Sequence, residues 1–391
     1  MKVAVVGAGL AGLRSAMLLE AGGHEVMLFE ARDRPGGRLH TAPSGFEEGA
    51  EWVDADHDRM RSLMRALGIA EVPAPEGEYL LQYRSERAME SQMWPSASED
   101  LRRFAELART EPTQDTIGDL VDSACQSDVG RWLVTANVRT DEGDEPSRLG
   151  LQPWLAFRRM YAHREGSEAS AYRIDGGGSA FVRQMLGKIR AVPKYGSRLI
   201  RVDGTKLIFE GFEVTVDAVV LALPLPCLLA LQIDPPLSTI AELQGLGFAP
   251  ALKARFRFAL PFWKDDGWQG YLKSDTRIQQ TWPDREDSQS LVGYIVGDDA
   301  RTLGSSADIE GDLRRAWRTL GVEPGGIEVK NWTADPFAGG AFSLALPGSD
   351  PAAIRVRDSG PIQYAGEFAA TWMGFMEGAL ESAETAVSAL S

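Results

Sequence analysis

The chain has 391 residues, long enough for two domains, and its 44% hydrophobic and 25% charged content is that of a soluble globular protein. A formal net charge of −15 argues against nucleic acid and against anionic membrane surfaces as partners. The two cysteines, Cys125 and Cys227, have no metal spacing, so no metal site and a reduced, cytoplasmic protein are expected.

Lys2 to Val6 is a short apolar run suited to a central parallel strand. Gly7-Ala8-Gly9-Leu10-Ala11-Gly12 follows at once, and Leu13 to Ala21 reads as an apolar helix. In this order Gly7 permits the tight turn, Gly9 lets a pyrophosphate approach the backbone, and Gly12 lets the helix pack closely on the strand. The helix N-terminus then presents unpaired N–H groups and the positive end of its dipole to phosphates. His24 to Glu30 reads as the second strand, and Glu30 stands 18 residues beyond Gly12, where a carboxylate accepts the hydroxyls of an adenosine ribose. Placed between strand and helix with its acid in position, the glycine turn reads as a dinucleotide site and not as a structural loop. This stretch already accounts for the N-terminal apolar residues, so no signal peptide is expected. The longest other apolar run, Ala218 to Ile233, is broken by Pro224 and Pro226 and is shorter than the roughly 20 residues a membrane helix needs.

Glu30-Ala-Arg-Asp-Arg-Pro-Gly-Gly-Arg38 resembles the ExxxRxGGR stretch of the flavin-dependent amine oxidase family, shared more loosely by protoporphyrinogen oxidases and carotenoid desaturases. Gly36-Gly37 give the backbone freedom to bend around a diphosphate, and the planar guanidinium of Arg38 suits paired phosphate oxygens. The resemblance implies FAD, with Glu30, Ala31, Arg32, Gly37 and Arg38 among its contacts. It also implies a Rossmann-type α/β FAD-binding domain interleaved with a mixed α+β substrate domain. Residues 1–78, 170–240 and 335–391 are assigned to the first, and 79–169 and 241–334 to the second. Membrane-anchored members carry an extra C-terminal helix; the chain stops at Ser391 without one, so no membrane anchor is expected.

Gly49-Ala-Glu-Trp52-Val-Asp54 resembles the family's stretch beside the flavin ring, which brings in Glu51 and Trp52. Residues 57–68 have helical apolar spacing ending at Gly68, and Tyr79 to Tyr83 reads as a strand entering the substrate domain. From Ser96 to about Ala162 the pattern is helical, with Ser96-Ala-Ser-Glu99 fitting a capping box and further helices near 116–126 and 128–138. The acidic cluster Asp141, Glu142, Asp144 and Glu145 reads as a solvated loop, the other reading being attraction of a cationic substrate.

Asp175-Gly-Gly-Gly178 precedes an apolar helix, Phe181 to Ile189, and resembles the turn where the family's chain re-enters the FAD domain. Short strands follow at 198–202, 206–210 and 212–216, the first two joined by a turn at Asp203-Gly204. By alignment with the family the backbone of Leu199 pairs with the adenine edge, and Asp217 to Leu223 is a buried strand beneath the dinucleotide. Leu252–Phe258, Gly267–Lys273, Ile278–Trp282 and Leu291–Val296 read as antiparallel sheet, then Ala307–Leu320 as an amphipathic helix and Glu328–Trp332 as a last strand.

Lys253, ahead of Phe262-Trp263, resembles the family's lysine that holds a water against flavin N5. Such a donor stabilises developing charge and helps activate oxygen. Asn331-Trp332 to Phe342, Ala365-Gly366-Glu367 and Trp372-Met373-Gly374-Phe375 resemble three further flavin-contacting segments, adding Trp332, Gly366, Glu367 and Met373 to the implied contacts. Two departures stand out. Ala341 occupies the place of the cysteine that tethers the flavin in some members, so FAD is expected to be noncovalent. Phe342 and Phe375 stand where those oxidases face the flavin with two tyrosines, and two rings still offer cation–π contact to an amine.

The function implied is oxidation of a small-molecule amine or amino acid, with hydride leaving the carbon next to nitrogen and oxygen as acceptor. Two other readings stay open: a renalase-like oxidase of dihydronicotinamides or a desaturase on the same fold, and a non-catalytic relative of the escort proteins for prenylated GTPases. His24, His40, His57 and His163 show no triad or metal spacing and read as surface or loop residues.

Overall fold

In the computed structural model, which describes residues 1–110, 112–160, 171–265, 267–355 and 360–390, four parallel strands form the sheet on which the site is built. Their order is Glu25–Phe29, Lys2–Val6, Ala218–Leu221 and Ile362–Tyr364, so the first strand of the chain lies inside the sheet and a strand from near its end forms one edge. The central strands are apolar throughout because both faces are covered. Val3 and Val5 pack with helices Leu10–Ala21, Gly177–Leu186 and Met376–Ser388. Ala4 and Val6 point the other way, onto the antiparallel strands Leu199–Asp203, Lys206–Phe209 and Phe212–Thr215. That is the two-residue period of a strand read directly as two cores.

A second, seven-stranded sheet runs in the order Gly326–Asn331, Ala251–Arg257, Ser290–Val296, Gln280–Pro283, Leu272–Ser274, Leu80–Tyr83 and Glu86–Met89. It is mixed and not purely antiparallel, since Leu80–Tyr83 joins Leu272–Ser274 in parallel. Helices Pro95–Arg109, Ile117–Ala124, Asp128–Glu142 and Leu151–Met160 contribute to a separate apolar cluster that also takes in Phe342 and Leu344.

Several expectations are corrected. The first helix begins at Leu10, because Gly9 already occupies its cap. The box at Ser96–Glu99 does not form: Pro95, pre-set for a first helical position, starts the helix one residue earlier, and Glu99 pairs with Arg102 and Arg103 instead. Of the expected strand Gly267–Lys273 only Leu272 and Lys273 are paired, in the strand Leu272–Ser274, and the structure adds a helix at Gly297–Gly304. The acidic cluster is no solvated loop. Asp141 and Glu142 end a helix, Asp144 is buried against Arg301, and Glu145 holds Arg139. His57 is buried, not superficial, while His163 and the expected helical residues beyond 160 lie outside the described residues. Among the described residues no helix is long and apolar enough to cross a membrane.

Candidate active site

Two connected spaces lie between the sheets: a groove of about 470 Å³ over the carboxyl ends of the parallel strands, and a cavity of about 1500 Å³. Arg38, Ala50, Ala341, Gly374, Phe375 and Met376 line both, which marks their junction.

The groove starts from the glycine turn. Gly7 has φ +104°, and a Cβ there would sit 2.2 Å from the carbonyl oxygen of Ala222. A Cβ on Gly12 would lie 1.8 Å from the carbonyl oxygen of Gly7, so this glycine seats the helix against the turn itself. Gly9 differs: its Cβ would meet nothing closer than 3.9 Å, leaving the backbone open to the groove in front of helix Leu10–Ala21. No side chain caps that helix, so its first N–H groups face the groove. Glu30 is 6% exposed, and its two carboxylate oxygens accept the N–H groups of Ala8 (2.8 Å) and Arg32 (2.9 Å). Each oxygen keeps a lone pair for a ribose hydroxyl. Ala31, Gly37 and Leu199 complete this wall. The residues therefore fit a dinucleotide: an open backbone cradle, a helix N-terminus and a preset carboxylate.

The arginines are less free than the sequence suggests. Arg32 grips Asp335 with two donors (3.1 and 2.5 Å). Burial pushes the Asp335 carboxyl up, but bonds from Arg32 and Lys330 override it and hold it down to about 2. Arg38 donates to the carbonyl of Ala341 and to Glu367 at 3.0 Å. The Glu367 carboxylate also accepts from Ser343 Oγ (3.1 Å) and the N–H of Gly374 (3.1 Å), so it braces three segments while Gly366 lines the groove beside it.

In the cavity, Lys253 rises from strand Ala251–Arg257 and is 5% exposed. Its ammonium donates to Glu51 and to the carbonyl of Gly49 (2.9 Å). Glu51 also accepts from Trp282 Nε1 (3.1 Å) and lies 3.4 Å from Nε of Arg173. Glu51 is thus a counter-ion to the lysine, a role its sequence context did not disclose. Trp52 stands edge-on to Trp282, with Arg173 over its face, and Trp332 donates to the carbonyl of Glu48 (2.7 Å).

Phe342 and Phe375 both reach the cavity. A Cβ on Gly143 would touch the Phe342 ring at 2.8 Å, which fixes the end of helix Asp128–Glu142 against it. Phe375 is 37% exposed and precedes the uncapped helix Met376–Ser388, with the edges of His57 and Trp372 against it; Met373 lies two residues before on the same wall. Asp141 and Glu142 face the same cavity. Asp141 is exposed to the open cavity, and desolvation among the surrounding walls raises its carboxyl despite the nearby Lys273 and Arg158. Glu142 is pushed up to about 7 by burial and then by Asp141, with a hydrogen bond from Trp154 acting against them. The expected residues therefore gather at the two spaces, with Gly12 just beneath. Sequence reasoning missed Arg173 and Trp282, whose partner Glu51 comes from a distant segment, and for Asp141 and Glu142 only its second reading, attraction of a cation, agrees with their place in the cavity.

Comparison with known proteins agrees with this geometry. The profile of the flavin containing amine oxidoreductases matches residues 10–391. A putative flavin-containing monoamine oxidase of Mycobacterium tuberculosis is 25% identical, covering 99% of this chain and 95% of that protein. An L-amino acid dehydrogenase of Synechocystis is 23% identical over 99% of this chain and 94% of its own length. Among solved structures, cyclohexylamine oxidase from Brevibacterium oxydans superposes with a TM-score of 0.86 at 21% identity, covering 99% of this chain and 98% of that one. Putrescine oxidase bound to putrescine gives 0.84 at 20% identity, again with 99% and 98% covered. The chain belongs to the flavin-containing amine oxidoreductases.

Proposed function

We propose that the protein oxidises a small primary or secondary amine at the carbon bearing nitrogen, with FAD held noncovalently in the groove and oxygen as the electron acceptor. When bound, flavin supplies the two-electron acceptor for the hydride, and the imine left behind is hydrolysed by water. The chain's own residues bind and orient. Gly9, the N–H groups opening helix Leu10–Ala21 and Glu30 would hold the dinucleotide, while Ala341 offers no sulfur for a thioether. Phe342 and Phe375 would sandwich the amine and restrict its approach, and Lys253 keeps a third N–H with which to hold a water at the cavity wall.

The observation that carries the amine reading is the pair Asp141 and Glu142. They lie at the C-terminal end of a helix, where the dipole already disfavours anions, and Asp141 has no hydrogen-bonding or ion-pair partner among the described residues. An incoming ammonium relieves that arrangement. A second reading, an amino acid substrate, draws on Lys273, a buried cation in the same cavity that is held by Asn137 and lies 4.6 Å from the Tyr79 ring centre.

The test is anaerobic bleaching of the bound flavin by monoamines, diamines, amino acids and dihydronicotinamides. Amines should bleach it, and Asp141→Asn should raise their KM by roughly 5–20-fold, the worth of one charge-assisted contact. Bleaching by dihydronicotinamides alone would sink the amine reading, and flavin that stays on the denatured protein would sink noncovalent binding.

A further inference from the structure

Lys253 and Glu51 form an ion pair in the cavity wall, both more than nine-tenths buried, from segments 202 residues apart. The lysine's three donors are almost fully assigned: one goes to Glu51, one to the carbonyl of Gly49, and one remains for the cavity it lines. Glu51 does not depend on the lysine for its own position. Trp282 Nε1 donates to its other oxygen at 3.1 Å, and Arg173, 2% exposed, stands 3.4 Å away with its guanidinium 4.2 Å from the Trp52 ring centre. The carboxylate is therefore a preset acceptor into which the lysine fits. A lysine serving only to pack a strand would need no such fixed counter-charge, and the Gly49 carbonyl already gives it one partner.

We propose that Glu51 is a positioning residue for Lys253: its carboxylate, shared with Arg173, fixes the ammonium with one N–H directed to the cavity and offsets part of its charge there. The pair, not a bare lysine, then sets how readily a bound flavin accepts and returns electrons. This rests on the reading that the cavity holds the flavin ring. A lone cation near the ring favours the reduced, anionic form, and a neutral pair does so much less.

The experiment measures the flavin reduction potential of the resting holoprotein by dye equilibration, alongside reoxidation by oxygen in stopped flow. Glu51→Gln removes the charge and keeps one carbonyl oxygen, which can accept from Lys253 while its NH2 turns toward Trp282. It should favour the reduced form about tenfold, a rise of roughly 30 mV for a two-electron couple, and should speed reoxidation. Lys253→Met should move the potential down, and Glu51→Gln added to Lys253→Met should bring it part of the way back, since the stranded carboxylate's charge is removed, while leaving reoxidation unchanged because no ammonium remains to be positioned. A shift in Glu51→Gln below about threefold, roughly 15 mV, overturns the inference, and so does a change in reoxidation rate that is equal with Lys253 present and absent. If Lys253→Met itself leaves the potential unmoved while flavin is bound, the placement of the ring fails instead. Should Glu51→Gln not fold, Glu51→Asp keeps the charge on a shorter reach: the potential should hold while reoxidation slows at least threefold, and an unchanged rate overturns the positioning role.

Discussion

The groove and the cavity meet at Arg38, Ala341 and Phe375, yet they treat charge in opposite ways. In the groove the charged side chains are already engaged by protein: Glu30 by two amides, Arg32 by Asp335, Arg38 by Glu367. What they leave for a ligand is mainly backbone and spare lone pairs. The cavity keeps valences open, with one donor left on Lys253 and Asp141 lacking a hydrogen-bond or ion-pair partner among the described residues. A resident group is best held by preorganised, mutually locked partners, which need no rearrangement when it binds. A molecule that must enter and leave needs groups whose electrostatic demand it satisfies only while present.

The harshest way to break this contrast is at the turn. Gly12→Ala puts a methyl 1.8 Å from the Gly7 carbonyl oxygen, which cannot move without displacing the strand end. Protein that still folds should purify without flavin, as the absorbance ratio at 450 and 280 nm reports. A cavity-side change should do the reverse. Lys253→Met should keep its flavin but slow one half-reaction by about 10²–10³, most visibly reoxidation by oxygen. It also strands Glu51 in a buried site, so thermal unfolding should record a loss of about 3–5 kcal/mol unless a proton or water compensates.

Glu30→Ala sharpens the groove side. It removes a ribose acceptor and leaves the Ala8 and Arg32 N–H groups to water, and FAD affinity measured by ultrafiltration should fall by roughly 1–3 kcal/mol. A further effect belongs to pH. The carboxyl of Glu142 lies at about 7 in the folded chain against an ordinary 4.5, so the folded state binds the extra proton between those values. Stability should therefore fall as pH rises from 4.5 to 7 and level off above it, while affinity for a cationic amine improves severalfold through the same window. Glu142→Gln should flatten both profiles in thermal melts and in binding titrations.

How much of this was legible in the chain follows from distance along it. The strand, glycine turn and acid within residues 2–30 are local, and the structure realises them nearly as read. The resemblance at Lys253, Phe342 and Phe375 located the cavity wall but not its electrostatics, because the Glu51 partner sits 202 residues from the lysine. His57 shows the same limit: its burial comes from Trp372 and Phe375, which no local pattern announces. The acids at 141–145 misled for a different reason. A charge run normally means solvent, but here Asp141 and Glu142 face the inside of a cavity while Asp144 and Glu145 are held by Arg301 and Arg139.

The parallel sheet has one consequence for how the protein comes into being. Strand Ile362–Tyr364 completes the sheet beside Ala218–Leu221, and helix Met376–Ser388 packs on helix Leu10–Ala21, its Glu377 capping the N–H of Met60. The floor of the groove is therefore assembled from residues 2–21 and 362–388, which are synthesised far apart in time. At roughly 5–20 residues per second, the N-terminal half must wait on the order of 20–70 s on the ribosome before its partner emerges. For that interval the apolar face of Leu10–Ala21 has no native cover from the closing helix. A groove built this way can close around a dinucleotide only once residues 362–388 have been made.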